Sequence, residues 1–167
     1  MTSRRQFLSG CVLAAVPTVP VFANSSHADD FDMNQYIKEL KELMDIDSKS
    51  GHVEGANQIA NILANRFKSI GWTVTTRDCE GRGKALVATN TPDQTHYDVV
   101  LSVHSDTVQA VGNASKYPLT IKDNIAHGAG VADDKSSLNA VWWICKKIPK
   151  KAQEKLKIAV IVNPGEE

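Results

Sequence analysis

The chain has 167 residues, 42% of them hydrophobic, with 19 basic and 19 acidic side chains and no net charge. That length and apolar content suffice for one globular domain with its own core and exclude a disordered or fibrous chain. No basic patch stands out, so nucleic acid is not an expected partner.

At the N-terminus, Ser3-Arg4-Arg5-Gln6-Phe7-Leu8 precedes an uncharged stretch that contains Pro17 and Pro20 and ends in Val21-Phe22-Ala23, a small-residue cleavage pattern before Asn24. This resembles a twin-arginine export signal. Residues 1–23 are therefore read as a signal peptide, 24–30 as a polar leader and 31–167 as the domain, with the mature protein in the periplasm. The apolar stretch is shorter than the ~20 residues that span a bilayer, so no stable membrane insertion is expected. Removing Arg4 and Arg5 leaves 17 basic against 19 acidic residues, a net charge of −2. Leu8-Ser9-Gly10-Cys11 also resembles a lipoprotein box, but it follows the arginines too closely to leave an apolar region ahead of it. Cys11 departs with the signal. An oxidising periplasm would allow Cys79 and Cys145 to pair, whereas the neighbours Trp142, Trp143 and Ile144 favour a buried, unpaired Cys145.

From Phe31 the apolar positions Tyr36, Ile37, Leu40, Leu43 and Met44 fall at helical spacing and predict a first helix. After the Ser48–Gly51 break, Ile59, Ile62, Leu63, Phe67 and Ile70 repeat the pattern, and Gly71 ends a second helix. From Trp72 the period shortens. Val74 with Thr76, Ala85–Thr89 and Val99–Val103 predict three strands, the third apolar on both faces as a covered central strand would be. Leu119–Ile121 and Ile125–His127 bracket Lys122-Asp123-Asn124, which is hairpin-turn chemistry. Leu138, Val141, Trp142 and Cys145 predict a helix ended by Pro149, and Ile158–Val162 a last strand. This order predicts an α/β fold, a mixed, mostly parallel sheet flanked by helices.

Three motifs stand at element ends. In His104-Ser105-Asp106-Thr107-Val108, His104 and Asp106 are two apart at a strand end and project to one face, which suits an imidazole metal ligand beside a carboxylate. Gly128-Ala129-Gly130-Val131-Ala132-Asp133-Asp134-Lys135 lies between a strand and a helix as phosphate loops do. Ala129 and Asp134 stand where a P-loop needs glycine, and Asp133 where a dinucleotide fingerprint needs a small residue. Two carboxylates there repel phosphate and attract a divalent cation; the plain alternative is that one of them caps the following helix. Asn163-Pro164-Gly165-Glu166-Glu167 sets two acids straight after a buried strand, where one can bind metal while its neighbour moves protons. The remaining histidines are read as non-catalytic: His27 in the leader, His52 near a helix start, His96 in a loop, and His127 in a packing or surface role.

Taken in this order and at these separations, the three motifs resemble the di-zinc metallopeptidase family of glutamate carboxypeptidase, succinyl-diaminopimelate desuccinylase, peptidase T and the aminoacylases. The resemblance covers about residues 32–167, the first half of that family's catalytic domain. It implies that His104 binds one zinc, Asp133 bridges two, Glu167 binds the second, Glu166 is the general base and Asp106 orients His104. It also implies a cis peptide bond between Asp133 and Asp134. The implied activity is hydrolysis of an amide bond in a peptide or N-acyl amino acid. Gly165 stands where the family often has Asp, and Ser136 and Ser137 where it often has Gly; neither change removes a ligand.

The family's further carboxylate and distal His ligands, and its inserted dimerisation domain, have no counterpart among these residues. The expectation is therefore a truncated catalytic domain with weak zinc binding and exposed apolar surface, and a homodimer only where the dimerisation domain is supplied. The alternative is an inactive remnant or a metal-binding half.

Overall fold

Asp32 opens the folded region of the structure, a computed structural model that describes residues 31–167. Its carboxylate accepts the Gln35 N–H at 2.9 Å and so caps α1, Met33–Met44, satisfying a donor that has no partner within the helix. Leu40, Leu43 and Met44 form the buried stripe of this helix. In α2, Val53–Ser69, the buried stripe is Ile59, Ala60, Leu63 and Phe67. Gly71 follows with a φ of +83°, a left-handed conformation that only glycine takes without a Cβ penalty,.

The predicted strands form as β1, Thr73–Cys79, β2, Gly83–Thr89, and β3, Val99–His104. A short helix α3, Asn113–Lys116, was not legible in the sequence. The hairpin pairs β4, Thr120–Lys122, with β5, Ile125–His127, through Asp123 and Asn124 at φ +51° and +61°. Both left-handed residues are what a tight hairpin of this hand requires. The aromatic helix is α4, Ser136–Lys147, which stops ahead of Pro149, and a short α5, Lys150–Gln153, leads to β6, Ile158–Asn163.

The main sheet has the order β1-β2-β6-β3. It is mixed, as expected, but the expectation of a mostly parallel sheet does not extend to the described strands: β1–β2 and β2–β6 are antiparallel and only β3–β6 is parallel. β3 also stands at an edge rather than at the centre. An apolar run reports what covers a strand and says nothing of which strands pair with it. Among the described strands, those with neighbours on both sides are β2 and β6.

Pairing register places Leu86 and Ala88 of β2, Val103 of β3, and Ile158, Val160 and Val162 of β6 on one face, where they join Leu63, Phe67, Leu138 and Trp142 in a single core. Phe67 meets Trp142 edge-on with ring centroids 5.7 Å apart, a favoured aromatic arrangement. The opposite face is open in part, with Val100 51% and Ile161 38% exposed. Cys79 and Cys145 are both free thiols. Burial pushes the Cys145 thiol up to about 12, so it is inert at neutral pH. The signal peptide and leader lie outside the described residues. Among those described, no helix is long and apolar enough to cross a membrane.

Candidate metal centre

Parallel pairing of β3 with β6 sets His104 opposite Asn163, so both chains leave the sheet side by side at the same end. The Ser105 N–H donates to the Asn163 carbonyl at 2.8 Å and keeps the exits together. The HSD and NPGEE motifs, 60 residues apart at Asp106 and Glu166, thus meet because two strand ends are in register, and crevices of this kind at strand carboxyl ends are where open α/β sheets bind ligands.

Asp106 is fully buried. Its Oδ1 accepts the Glu166 N–H at 3.0 Å, and its Oδ2 accepts the Glu167 N–H at 3.1 Å and the Ser50 hydroxyl at 2.7 Å. Burial alone would raise its pKa, but the bonds from Glu166, Ser50 and Glu167 outweigh it and hold the carboxyl below its ordinary value,. The expected orienting of His104 is done by a different atom. His104 Nδ1 lies 3.0 Å from the Asp106 carbonyl oxygen, while the nearer carboxylate oxygen is 3.5 Å away. A carbonyl oxygen accepts and cannot donate, so this contact calls for a proton on Nδ1 and turns Nε2 toward the cleft.

The third motif arrives from the far side. Gly130, at φ +74°, packs so closely that an added Cβ would sit 2.8 Å from Thr107 Cγ2. It opens a wide turn, Val131–Lys135, in which Asp133 and Asp134 leave helical geometry and are joined by a cis peptide bond, as the resemblance implied. Neither acid caps α4, whose N-cap position is Lys135, with no side-chain cap hydrogen bond. Asp133 Oδ1 lies 3.0 Å from His104 Nε2, and Asp134 Oδ2 accepts the His104 N–H at 3.2 Å. The exposed Glu166 brings Oε2 within 3.9 Å of the same Nε2.

These groups line a cleft of about 290 Å³ with Ser102, Val103 and Asn163. Burial lowers the His104 pKa, but Asp134, the Asp106 carbonyl, and the Asp106 and Asp133 carboxylates together raise it above its ordinary value. Although exposed, the Glu167 carboxyl is held above its ordinary value by loss of hydration and then by the charges of Asp133 and Glu166. Carboxylates crowded around one imidazole, in a cleft that no Lys or Arg lines, are a donor set that suits a divalent cation. The set is partial: among the described residues no three His, Cys, Asp or Glu side chains are placed to hold one ion.

Two participants, Ser50 and Lys135, escaped the sequence reading, and Asp134, read as a cation ligand or a helix cap, takes another contact. Ser50 belonged to a stretch read only as a helix break. Asp134 fastens the turn to β3 instead of capping a helix. Lys135 is buried, donates to the Ile46 carbonyl, and has its pKa lowered by burial to about 8 despite Asp47 and Asp45. His27 lies outside the described residues, and the other histidines read as non-catalytic stay apart from the cleft: His52 Nδ1 contacts the Asp47 carbonyl at 2.9 Å, His96 pairs with Thr95, and His127 borders a separate depression beside Lys116 and Tyr117.

Comparison with known proteins gives a consistent setting. Residues 100–167 match Peptidase family M20/M25/M40. The chain is 32% identical over 135 residues to carboxypeptidase G2 of Pseudomonas sp. (strain RS-16), an alignment that covers 78% of this chain and 32% of that protein. A tripeptidase from Staphylococcus aureus superposes with a TM-score of 0.61 at 25% identity, over 81% of this chain and 37% of that one. The glutaminyl cyclase of Fimbriiglobus ruber superposes with a TM-score of 0.57 at 18% identity, over 83% and 47% of the respective chains, which speaks for a shared fold alone. The chain spans about a third of the length of the curated relative that it matches.

Proposed function

We propose, from the premise that this chain belongs to peptidase family M20/M25/M40, that it contributes the metal centre of an exported, zinc-dependent hydrolase acting on an amide bond in a peptide or N-acyl amino acid. The observation that carries this reading is the convergence of His104, Asp133 and Glu166 in one cleft lined by no basic side chain but the imidazole. His104 and Asp133 would hold one zinc, and Asp133 and Glu167 a second. Zinc held there supplies Lewis-acid polarisation of a carbonyl and acidification of water.

The chain's own groups do the rest. Asp106 orients His104 through its carbonyl and tethers the main chain of Glu166 and Glu167 through its carboxylate. Glu166, tethered by its backbone and exposed at its side chain, takes a proton from the attacking water and hands it to the departing amine,. The amide C–N bond is thereby cleaved with no covalent enzyme intermediate. Two protein donors per ion are one fewer than catalytic zinc ordinarily has, so residues 31–167 by themselves bind zinc weakly. The twin-arginine pattern at Arg4 and Arg5 supports a periplasmic site of action, and cell fractionation tests it.

The decisive experiment titrates zinc into the wild-type chain and into His104→Ala, Asp133→Ala and Glu166→Gln variants, and follows hydrolysis of dipeptides and N-acyl amino acids. Saturable zinc binding lost in the first two variants and kept in Glu166→Gln is expected, with hydrolysis in Glu166→Gln down by about 10²–10⁴-fold. Zinc binding without turnover supports the alternative of a metal-binding half. Absence of saturable zinc binding in the wild-type chain overturns both.

A further inference from the structure

We propose that Ser50 is a positioning residue for the Glu166–Glu167 pair, acting through the buried carboxylate of Asp106. The proposal rests on reading that pair as part of the metal centre. Ser50 lies in the loop between α1 and α2, 56 residues before Asp106 in the chain, and the loop is fastened at both ends. On the α1 side, the Asp47 carboxylate accepts the Gly112 N–H at 2.7 Å and the Ala114 N–H at 2.9 Å, and the Lys135 ammonium donates to the Ile46 carbonyl. On the α2 side, the Ser50 N–H donates to the Thr107 carbonyl at 3.1 Å and the Thr107 N–H to the Ser48 carbonyl at 2.9 Å. The two backbone bonds lay the loop parallel to the segment that carries Asp106. The Ser50 hydroxyl is thus held 2.7 Å from Asp106 Oδ2.

That placement matters because the Asp106 carboxylate has three donors, and two of them are the amides that aim the acids. A carboxylate torsion is broad and roughly two-fold, so on its own it sets the plane of its oxygens poorly. Two amides from adjacent residues bind one oxygen each, and the Ser50 hydroxyl supplies the donor from a different direction that fixes this plane. A neutral hydroxyl does so without adding charge to a site that needs its carboxylates ionised. The path runs from the loop to Asp106 and from there to the main chain of Glu166 and Glu167. It ends on the backbone that carries the proposed base and ligand.

The test compares wild type, Ser50→Ala and Ser50→Thr by amide hydrogen exchange in the metal-free chain, so the first readout needs neither zinc nor turnover. In Ser50→Ala, protection at the Glu166 and Glu167 amides falls about tenfold, in line with loss of a hydrogen bond to a buried charge. The Val160 amide, in the middle of β6, stays as in wild type, and Ser50→Thr, which keeps the hydroxyl, restores both glutamate amides. If Ser50→Ala fails to fold, Ser50→Cys, close in shape and a weaker donor, carries the same comparison with an intermediate loss. Equal protection of Glu166 and Glu167 in wild type and Ser50→Ala overturns the proposal.

Zinc affinity is the second readout and drops about tenfold in Ser50→Ala, at the lower end of what outer partners of metal ligands contribute. Exchange behaving as described in a wild-type chain that binds no zinc supports the positioning role and removes the metal-centre reading. Zinc binding with unaltered exchange does the reverse.

Discussion

Single side chains divide here into those whose role follows from residue type and spacing and those whose role depends on a distant partner. His104 and Asp133 belong to the first group, since an imidazole and a carboxylate at strand and turn ends suggest a cation site by chemistry alone. Asp106 belongs to the second. Its spacing from His104 pointed to a carboxylate that orients the ring, yet the carbonyl takes that contact and the carboxylate takes the amides of Glu166 and Glu167. Spacing of two residues specifies a face and not which of a residue's three oxygens turns inward. Glu39 shows the same dependence away from the site. Only 8% exposed, it accepts from Trp142 Nε1 at 2.8 Å and from Gln35 Nε2 at 2.8 Å. Burial would raise its pKa, but Gln35, Trp142, Lys146 and Arg66 together lower it below 4.5. A carboxyl whose folded pKa lies below its unfolded value adds stability above the unfolded pKa and loses it as pH falls through the folded one. Glu39→Gln should therefore melt lower than wild type at neutral pH, and the gap should shrink as the pH drops below 4.5. Thermal melts at several pH values check this; a gap that does not change with pH would assign the loss to packing alone.

Elements were readable where period and punctuation agree. The stripes of α1 and α2, the Gly71 stop, the Asp123-Asn124 turn and the halt of α4 before Pro149 are local properties, carried by neighbours within four or five positions. The short helices α3 and α5 carry no such period and were not seen. A contact between elements decides one case that local rules would get wrong. Gly55 is in the first turns of α2, where Ala would improve helix propensity by about 1 kcal/mol. An added Cβ, however, would sit 1.8 Å from the Asp47 carbonyl oxygen and 2.9 Å from His52 Nδ1. Backbone cannot yield as a flexible side chain does, so the clash wins. Gly55→Ala should destabilise by about 2 kcal/mol, read as a lower midpoint in urea, and an unchanged or higher midpoint would show that the loop before α2 adapts freely.

At the scale of the molecule, strand order makes the cleft. β6 lies between β2 and β3, and its parallel register with β3 brings together acids and an imidazole from segments 60 residues apart in the chain. An ion that binds the folded centre and not the unfolded chain adds stability by mass action, about 2.7 kcal/mol at a hundredfold excess over its dissociation constant. Zinc should accordingly raise the melting temperature of the chain by roughly 8 °C under those conditions. A chelator should reverse the rise and His104→Ala should abolish it. A melting temperature indifferent to zinc would remove the metal centre from the account. The same strand order leaves β3 at an edge of the described sheet and Val100 and Ile161 exposed on the uncovered face.

By itself the sequence determined the three long helices, the strands, the hairpin and the three motifs at element ends, because periodicity, turn chemistry and charge act over a few neighbouring residues. Tertiary structure alone decided that β6 and not β3 has neighbours on both sides, that the Asp106 carboxylate serves the backbone of the glutamate pair, and that Ser50 and Lys135 anchor the loop beneath it. Those arrangements join residues 56 to 89 positions apart. They are selected by which packing buries the most apolar surface while leaving most buried polar groups a partner, a condition on the whole chain that no short window of it contains.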